Sequence, residues 1–511
     1  MISLLLLVTH ALAARVVVDD VTATTLRVDT RYVSSVLDPS SLDCGVSRNQ
    51  FSDPRGAGLA NLTHTKLRTF VRSLAPTLVV ITGGRSNCLD ATTRKAWRSP
   101  YCQARGYGGV CDHVLNELDA FSTATGADVA WHVNPAFRDA QGHFDVDAAP
   151  APSSASTLLL YEELHEKPPR PTKQKLPIVD GGVQASASSM ARDFASLRKR
   201  YNHHTIVGLL NQDTDQSTVW TDAVYGASKN SIDVVAFSYY ASTVALGRAK
   251  KKYGCGAYAD AALGIVDPSH RSAFDRTLAR YVDLARSLGK FVWVVAAAPC
   301  THAPEGSGWG AVDAVAGGLW YADLLGRAAA GGARLVARQT LVGGVYGLLD
   351  SRTYAETPSA VVARAFAEHF GSEVLQVNAA APPHLSVFAH CGRGAATVAF
   401  LVVNVGNRTE SLLLPRHGAG PVVLSLAGAA LAAPAFEPSR LEARESNAAL
   451  LIKPFSATVA VVGRLAAPPA TCSRASTRAA PTPQPEHLSH RPEHLPHRSK
   501  KTKKHRGWFS R

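Results

Sequence analysis

Residues 33–367 alternate between two hydrophobic periods, and this alternation constrains the fold more than any other feature of the chain. Apolar residues recur at helical spacing, as in residues 67–74, and a short Val-rich run such as residues 78–81 then follows. The first period predicts a helix with one buried face, and the second predicts a strand buried in a parallel sheet. The number of units favours an eight-stranded (β/α)8 TIM barrel over a doubly wound sheet, although alternation alone is compatible with both.

The same pattern continues along this region. Further helices are predicted over residues 115–121, 278–285 and 311–327, and the strands after them over residues 128–133, 291–295 and 334–336. After residue 370 the helical period stops, and short apolar runs separated by turn residues follow. The runs are LSVFAHC, ATVAFLVVNV, ESLLLP, GPVVLSLAG and FSATVAVVG. Such spacing is typical of an antiparallel β-sandwich, which we place at residues 371–472.

The composition of the two ends of the chain predicts segments outside the folded core. Residues 1–14 are apolar with small residues at Ala11 and Ala13, which predicts a signal peptide and a secreted protein. The lumen of a lysosome or vacuole is the alternative. Residues 473–511 are rich in Pro, His, Ser and basic side chains and contain the repeat PEHLSHR, PEHLPHR. This composition cannot bury a core, so a disordered basic tail is expected.

Charge and cysteine content restrict the partners. The tail holds ten Lys and Arg against two Glu, so it carries +8 of the formal net charge of +14. A basic secreted chain favours an acidic polysaccharide or a glycoprotein glycan over nucleic acid, for which no motif is present.

The eight cysteines lack zinc-ligand spacing, so disulfides are expected, and neither a metal nor a cofactor is expected. No transmembrane segment is predicted, and peripheral attachment through the tail is the alternative. Asn61 and Asn407 begin N-glycosylation sequons.

Several segments resemble one enzyme family. GLWYADLLG (residues 318–326) and RQTLVGGVYGLLD (residues 338–350) are similar to plant-type members of the heparanase family, glycoside hydrolase family 79. Residues 51–76, 116–134 and 382–391 resemble the same family and occur in its order. The resemblance implies a β-glucuronidase-type hydrolase of uronic-acid polysaccharides. It also implies a barrel over residues 33–370 and an N-terminal strand, within residues 15–32, that joins the sandwich.

The position of the family's catalytic nucleophile is altered. Family members carry a Gly-Glu pair at the end of the strand that corresponds to residues 291–295, and this pair falls here on Val295 and Ala296. An alanine cannot attack an anomeric carbon. Glu305, in a Gly- and Pro-rich loop, is the one glutamate nearby, and we favour a solvated loop residue over a relocated nucleophile.

The acid/base position is ambiguous. The family's Asn-Glu pair after the fourth barrel strand aligns with His165 and Glu166 in TLLLYEELHEKP. A small gap would move Glu162 or Glu163 into the same position instead. A charged loop with solvated glutamates explains this segment equally well.

Other pocket positions are partly kept. The family's Arg before a Gly-Gly pair appears as Ile81, and its two histidines after the sixth strand appear as Phe237 and Ser238. The resemblance retains two pocket tyrosines, Tyr240 and Tyr346.

Two basic clusters and one pair of cysteines are further candidate functional or structural features. Lys250, Lys251 and Lys252 lie on the side where the family binds polysaccharide, and a glycan contact and a solvated face are equally good interpretations. Residues 198–200 are interpreted as charges at the end of a helix. The resemblance implies that Cys391 and Cys472 form a disulfide.

Three functions remain open from the sequence. The first is a heparanase-like scaffold that binds acidic glycans and has lost or nearly lost hydrolysis. The second is an active retaining glycosidase with a relocated nucleophile. The third is a non-enzymatic extracellular protein in which the tail binds glycans and the barrel is a platform.

Overall fold

The computed structural model describes residues 15–38, 42, 60–82, 112–133, 155–162, 187–210, 215–241, 261–299, 314–343, 347–394, 396–415, 422–442, 449–463 and 472. These residues form a closed barrel of eight parallel strands and a second series of nine hydrogen-bonded strands. Along the chain, the described helices alternate with the barrel strands. The eight-stranded (β/α)8 barrel predicted from the alternating periods is therefore confirmed.

The barrel strands follow chain order around the barrel, and the last pairs with the first to close it. They are β2 (Val33–Leu37), β3 (Leu78–Ile81), β4 (Asp128–Val133), β5 (Ala155–Glu162), β6 (Thr205–Leu210), β7 (Val234–Phe237), β8 (Phe291–Ala297) and β9 (Ala333–Gln339). The described helices are α1 (Thr65–Leu74), α2 (Asp112–Thr125), α3 (Ala187–Arg200), α4 (Asp215–Ala227), α5 (Ala261–Ile265), α6 (Pro268–Leu288), α7 (Val315–Ala330) and α8 (Pro358–His369).

Hydrophobic spacing accounts for the way these elements pack. The apolar residues of α1 lie on one buried face, which covers the outside of the barrel, and all four residues of β3 are buried. The barrel interior is filled by valine, leucine and alanine side chains with one tryptophan. Its members are Val36, Leu78, Val80, Ala130, Val207, Leu209, Val234, Ala236, Trp293, Val295, Ala296, Leu335 and Ala337. The barrel is thus a packed core, and any site on it must lie at an end.

An arginine lies at the amino-terminal end of the barrel. Arg31 pairs with Asp29 (Nη2–Oδ2, 3.0 Å) and with Asp128 (Nη1–Oδ2, 2.8 Å). Its guanidinium carbon lies 5.9 Å from the ring centre of Trp293. This cluster stabilises the end of the barrel opposite the strand ends that carry function in such folds.

The remaining strands run in the order β15-β14-β17-β12-β11-β10-β1-β13-β16. They are β1 (Arg15–Arg27), β10 (Phe370–Ala379), β11 (Leu385–Gly392), β12 (Thr397–Asn404), β13 (Glu410–Leu413), β14 (Val422–Ala427), β15 (Glu437–Glu442), β16 (Leu450–Ile452) and β17 (Ser456–Gly463). The first residues of β1 pair in parallel with β13, and the rest pair antiparallel with β10. Side chains from opposite parts of the series, such as Ile452 and Phe400, share one buried cluster.

Helix α7 packs between the barrel and this sheet. All its residues except Arg327 and Ala330 are buried, as expected for a helix that is apolar all round. Gly326 lies against Phe388 of β11, where any β-carbon would be 2.1 Å from the ring. Asp323 accepts from Arg327 at 2.8 Å and pairs with Arg271 of α6 at 3.2 Å.

Some predicted bounds were wrong. The helix predicted over residues 311–327 runs from Val315 to Ala330, and residues 311–313 lie outside the described residues. The strand predicted over residues 291–295 continues to Ala297, and the one predicted over residues 334–336 extends to Gln339. The extension of β8 follows from its pairing with β9, and β9 reaches Gln339 through its pairing with β2. Local hydrophobicity reveals neither pairing.

Candidate active site

Ala296 lies at the carboxyl end of β8, the seventh strand of the barrel, where functional groups of this fold collect. The pairing with β9 shifts between Val295 and Ala297, so Ala296 is the extra residue of a bulge. Its φ of 60° is left-handed, a conformation that costs an L-residue roughly 1–2 kcal/mol. The residue is buried against the barrel interior, and its methyl group can neither attack a substrate nor stabilise positive charge.

Pairing beyond the ends of β7 and β8 places Tyr240 beside this bulge. The backbone N–H of Ala298 donates to Tyr239 O at 2.9 Å, and Ala298 forms a parallel bridge with Tyr240. Tyr239 is buried on the outside of the barrel, edge-on to Phe274 at 4.8 Å between ring centres. Tyr240 is half-buried at the same end of the barrel as Ala296.

Phe237 and Ser238 occupy the positions at which the resemblance implies two histidines. Phe237 is fully buried and stacks on Tyr281 of α6 at 4.3 Å between ring centres. An apolar contact on the outside of the barrel therefore takes one of these positions.

Two polar side chains at this end were missed by sequence reasoning. Thr82 follows β3 and His132 lies in β4, and Thr82 Oγ1 is 3.3 Å from His132 Nδ1. Both are buried, and burial lowers the pKa of His132 to about 3, so its imidazole is neutral at physiological pH. Each follows an interior residue, Val80 or Ala130, by two positions, and this strand parity is the signal that could have found them.

Gln339 and Asp38 are two further polar groups at the strand ends. Gln339 stands two residues after the interior Ala337 and is 8% exposed. Its Oε1 has no hydrogen-bond partner among the residues that the structure describes. Asp38 directly follows β2 and is half-buried. Thr82, His132 and Gln339 are thus neutral hydrogen-bonding groups, and Asp38 adds a carboxylate next to the first strand.

The candidate acid/base segment is described in part. Strand β5, the fourth of the barrel, ends at Glu162, whose backbone pairs with Leu210 of β6. The predicted site residues Glu163, His165, Glu166, Lys250, Lys251, Lys252, Glu305 and Tyr346 lie outside the described residues. Within the described ranges no group of three or more His, Cys, Asp or Glu side chains is arranged to hold a metal ion.

The structure contains the disulfide implied by the resemblance. Cys391 of β11 and Cys472 are joined at a Cα–Cα distance of 5.2 Å, and both are buried. The other six cysteines, Cys44, Cys88, Cys102, Cys111, Cys255 and Cys300, lie outside the described residues.

Both sequon asparagines are exposed. Asn61 Oδ1 accepts from the backbone N–H and the hydroxyl of Thr63 at 2.9 and 2.6 Å. Asn407 lies in the turn between β12 and β13. Across the described ranges, no helix is long and apolar enough to cross a membrane.

Comparison with known proteins points to one group of relatives. No family model matches the chain. Heparanase-like protein 1 of Arabidopsis thaliana is 32% identical over 175 residues, which is 34% of this chain and 32% of that protein. Baicalin-β-D-glucuronidase of Scutellaria baicalensis is 34% identical over 87 residues, 17% of this chain and 16% of that protein. The matched part thus spans at most about a third of these curated relatives.

Solved structures share the fold at much lower identity. A family 51 α-L-arabinofuranosidase from Bifidobacterium longum superimposes with a TM-score of 0.61 at 13% identity, over 88% of this chain and 99% of that one. A 4-O-α-L-rhamnosyl-β-D-glucuronidase from Fusarium oxysporum gives a TM-score of 0.58 at 10% identity, over 87% of this chain and 99% of that one. The fold is one that glycoside hydrolases use, and the chain is a divergent relative of the heparanase-like proteins.

Proposed function

We propose that the chain is a glycoside hydrolase family 79 scaffold that recognises a uronic-acid polysaccharide and has lost, or nearly lost, hydrolysis. The observation that carries this proposal is the alanine at the bulge of the seventh barrel strand. Retaining hydrolysis needs a nucleophilic carboxylate about 5 Å from the acid/base. Ala296 removes that carboxylate and leaves the surrounding polar groups for binding.

The remaining groups at this end fit recognition better than catalysis. His132 is neutral because burial lowers its pKa, so it can exchange hydrogen bonds with sugar hydroxyls but provides no cation. Tyr240 offers a ring and a hydroxyl at the rim, as binding sites for sugars require. By resemblance, we assign Tyr346, His165 and Lys250–Lys252 to the same pocket and Glu166 to the acid/base position.

The wider organisation belongs to the same proposal. We interpret the nine-stranded series as the sandwich of this architecture, with residues 15–32 as its N-terminal strand, and residues 473–511 as a basic tail. A signal peptide over residues 1–14, secretion and glycosylation at Asn61 and Asn407 complete the picture of an extracellular protein.

The test measures binding and cleavage on the same ligand. Purified protein is titrated calorimetrically with an oligosaccharide that ends in a β-glucuronate, and the sugar is then analysed by chromatography after prolonged incubation. We expect measurable binding, an intact oligosaccharide, and weaker binding by Tyr240→Ala. Val219→Ala serves as the control, because Val219 is exposed on the outer face of α4.

The outcomes separate the competing functions. Cleavage at rates typical of glycosidases that Glu305→Gln abolishes would support the relocated nucleophile. Absence of binding to the oligosaccharide, with binding of polysaccharide only through the tail, would support the third function.

A further inference from the structure

The amino-terminal face of the barrel carries a row of positive side chains. Strands β6, β7, β8 and β9 are neighbours in the barrel, and a helix runs into the start of each. The four connections therefore lie side by side at the end opposite Ala296. At a spacing of about 4.8 Å between strands they span roughly 15 Å.

Each of these connections contributes cations. Lys199 and Arg200 are exposed at the end of α3, and Lys229 is exposed just after α4. Lys290 precedes β8 and Arg334 lies at the second position of β9, both half-buried. We call these five residues the basic arc. In the described part of the chain, Lys199, Lys229, Lys290 and Arg334 form no ion pair.

The acidic groups nearby are bound to other arginines. Asp233, at the start of β7, forms an ion pair with Arg198 and accepts from the backbone N–H of Ile206. Asp283 pairs with Arg286 at 2.8 Å on α6. The two carboxylates at the barrel end pair with Arg31. Lys199, Lys229, Lys290 and Arg334 are therefore not neutralised by these carboxylates, and this face keeps a positive surplus.

Helix electrostatics explains only part of this surplus. Cations in the last turn of a helix are stabilised by its dipole, and Arg198 also donates to the carbonyls of Asn202 and His204. All three of residues 198–200 lie in the last turn of α3, so their interpretation as helix-end charges is confirmed. Lys229 and Lys290 closely follow helix ends, and their backbone N–H groups donate to carbonyls of the last turn, so the dipole favours cations there too. Arg334 lies within β9, where no helix dipole accounts for it.

An exposed aromatic ring lies within the basic arc. Phe291, the first residue of β8, is 50% exposed, and the guanidinium carbon of Arg334 lies 4.1 Å from its ring centre. The stacked arginine holds the ring in place. A fixed apolar ring among cations is suited to a ligand that has both apolar faces and regularly spaced anions, as an acidic polysaccharide does.

We propose that the basic arc and Phe291 form a second binding site for acidic polysaccharide, on the face opposite the candidate active site. The chain would hold a long polyanion at this face independently of what the strand ends around Ala296 recognise. The site would take sulfated or carboxylated polymers, and it requires no catalytic group.

The test compares two full-length variants of equal charge. The arc variant carries Lys199→Gln, Arg200→Gln, Lys229→Gln and Lys290→Gln. The control variant replaces four exposed cations on other surfaces by Gln, namely Arg276, Arg352, Arg408 and Lys453. Both lower the formal net charge of +14 by four and leave the basic tail intact. Dissociation constants for heparin and for polygalacturonate are measured at several salt concentrations.

We expect the arc variant to bind heparin about fivefold more weakly or worse at low salt, since four surface charge contacts are lost. The control should change affinity less than about twofold. Phe291→Ser, which leaves the charge unchanged, should weaken binding about threefold by removing the ring. Weakening with heparin alone would identify sulfate as the recognised group, and weakening with both polymers would identify general polyanion binding.

Equal affinities of the arc and control variants for both polymers would overturn the proposal, as would full affinity of Phe291→Ser. The replaced residues are exposed or half-buried at the surface, and thermal melts of the variants check that each folds as the wild type does. A short glucuronide that binds at the strand ends is unaffected by the arc variant. Loss of glucuronide binding in Tyr240→Ala, with heparin binding retained, would show that the basic arc and the candidate active site bind independently.

Discussion

His390 makes the folded state sensitive to acid, and its environment gives the size of the effect. The side chain is buried in β11, edge-on to Phe366 and Phe370 at 5.4 Å between ring centres. Its Nδ1–H donates to Gly371 O at 3.0 Å, and its Nε2 has no hydrogen-bond partner in the described part of the chain. Protonation of Nε2 would bury a charge, and burial therefore lowers the pKa of His390 from 6.5 to about 4.

The sign follows from proton uptake. Between pH 6.5 and pH 4 the unfolded chain binds the proton and the folded chain does not, so the free energy of unfolding falls as the pH falls. With these two pKa values the loss is on the order of 1 kcal/mol at pH 5.5 and roughly 2–3 kcal/mol at pH 4.5. His132, whose pKa is also lowered by burial, acts in the same direction.

The substitution His390→Asn isolates the contribution of His390, because an amide can still donate to Gly371 O but cannot take up the proton. Urea unfolding followed by tryptophan fluorescence at pH 7.5, 5.5 and 4.5 measures the free energy of unfolding of both proteins. The difference in the free energy of unfolding between wild type and variant should shift in favour of the variant by roughly 2–3 kcal/mol between pH 7.5 and pH 4.5. His203→Asn, at an exposed position, is the control. Parallel pH profiles for wild type and His390→Asn would refute this reasoning.

Two further predictions concern packing and covalent linkage. Gly326→Ala places a methyl group 2.1 Å from the ring of Phe388 and should lower the free energy of unfolding by about 1–3 kcal/mol. Gly226→Ala has open space and should raise it by about 0.5–1 kcal/mol, as thermal denaturation of both variants can check. Replacing Cys391 and Cys472 by Ala opens a loop with a sequence separation of 81 and should cost about 4.5 kcal/mol. Unchanged melting temperatures of the glycine variants would contradict the packing prediction. An unchanged urea midpoint of the cysteine variant would contradict the linkage prediction.

The sequence predicts an element well where burial is uniform. Strands β3 and β4 have the bounds that their apolar runs predict, because parallel strands covered on both faces read as continuous hydrophobic runs. Strands β15 and β16 are absent from the sequence prediction, since both lie at edges of the series. The first carries Pro438 and three charged residues, and the second has only three residues. Edge strands need no continuous apolar pattern.

The candidate site, too, is predictable from the sequence only in part. Family resemblance predicts the position of Ala296, but the bulge and the positive φ come from pairing with β9. The contact between Thr82 and His132 joins strands 50 residues apart, so no local pattern reveals it. Contacts of this kind become predictable only when the barrel register is known.

The central claim is that Ala296 leaves the scaffold without a nucleophile. The most direct measurement is the initial rate at which the purified protein releases the phenol from an aryl β-glucuronide, compared with buffer alone. We predict no release above the uncatalysed rate, because no covalent glycosyl intermediate can form at an alanine. Sustained turnover on the order of 1–1,000 per second, typical of enzymes, would contradict the account.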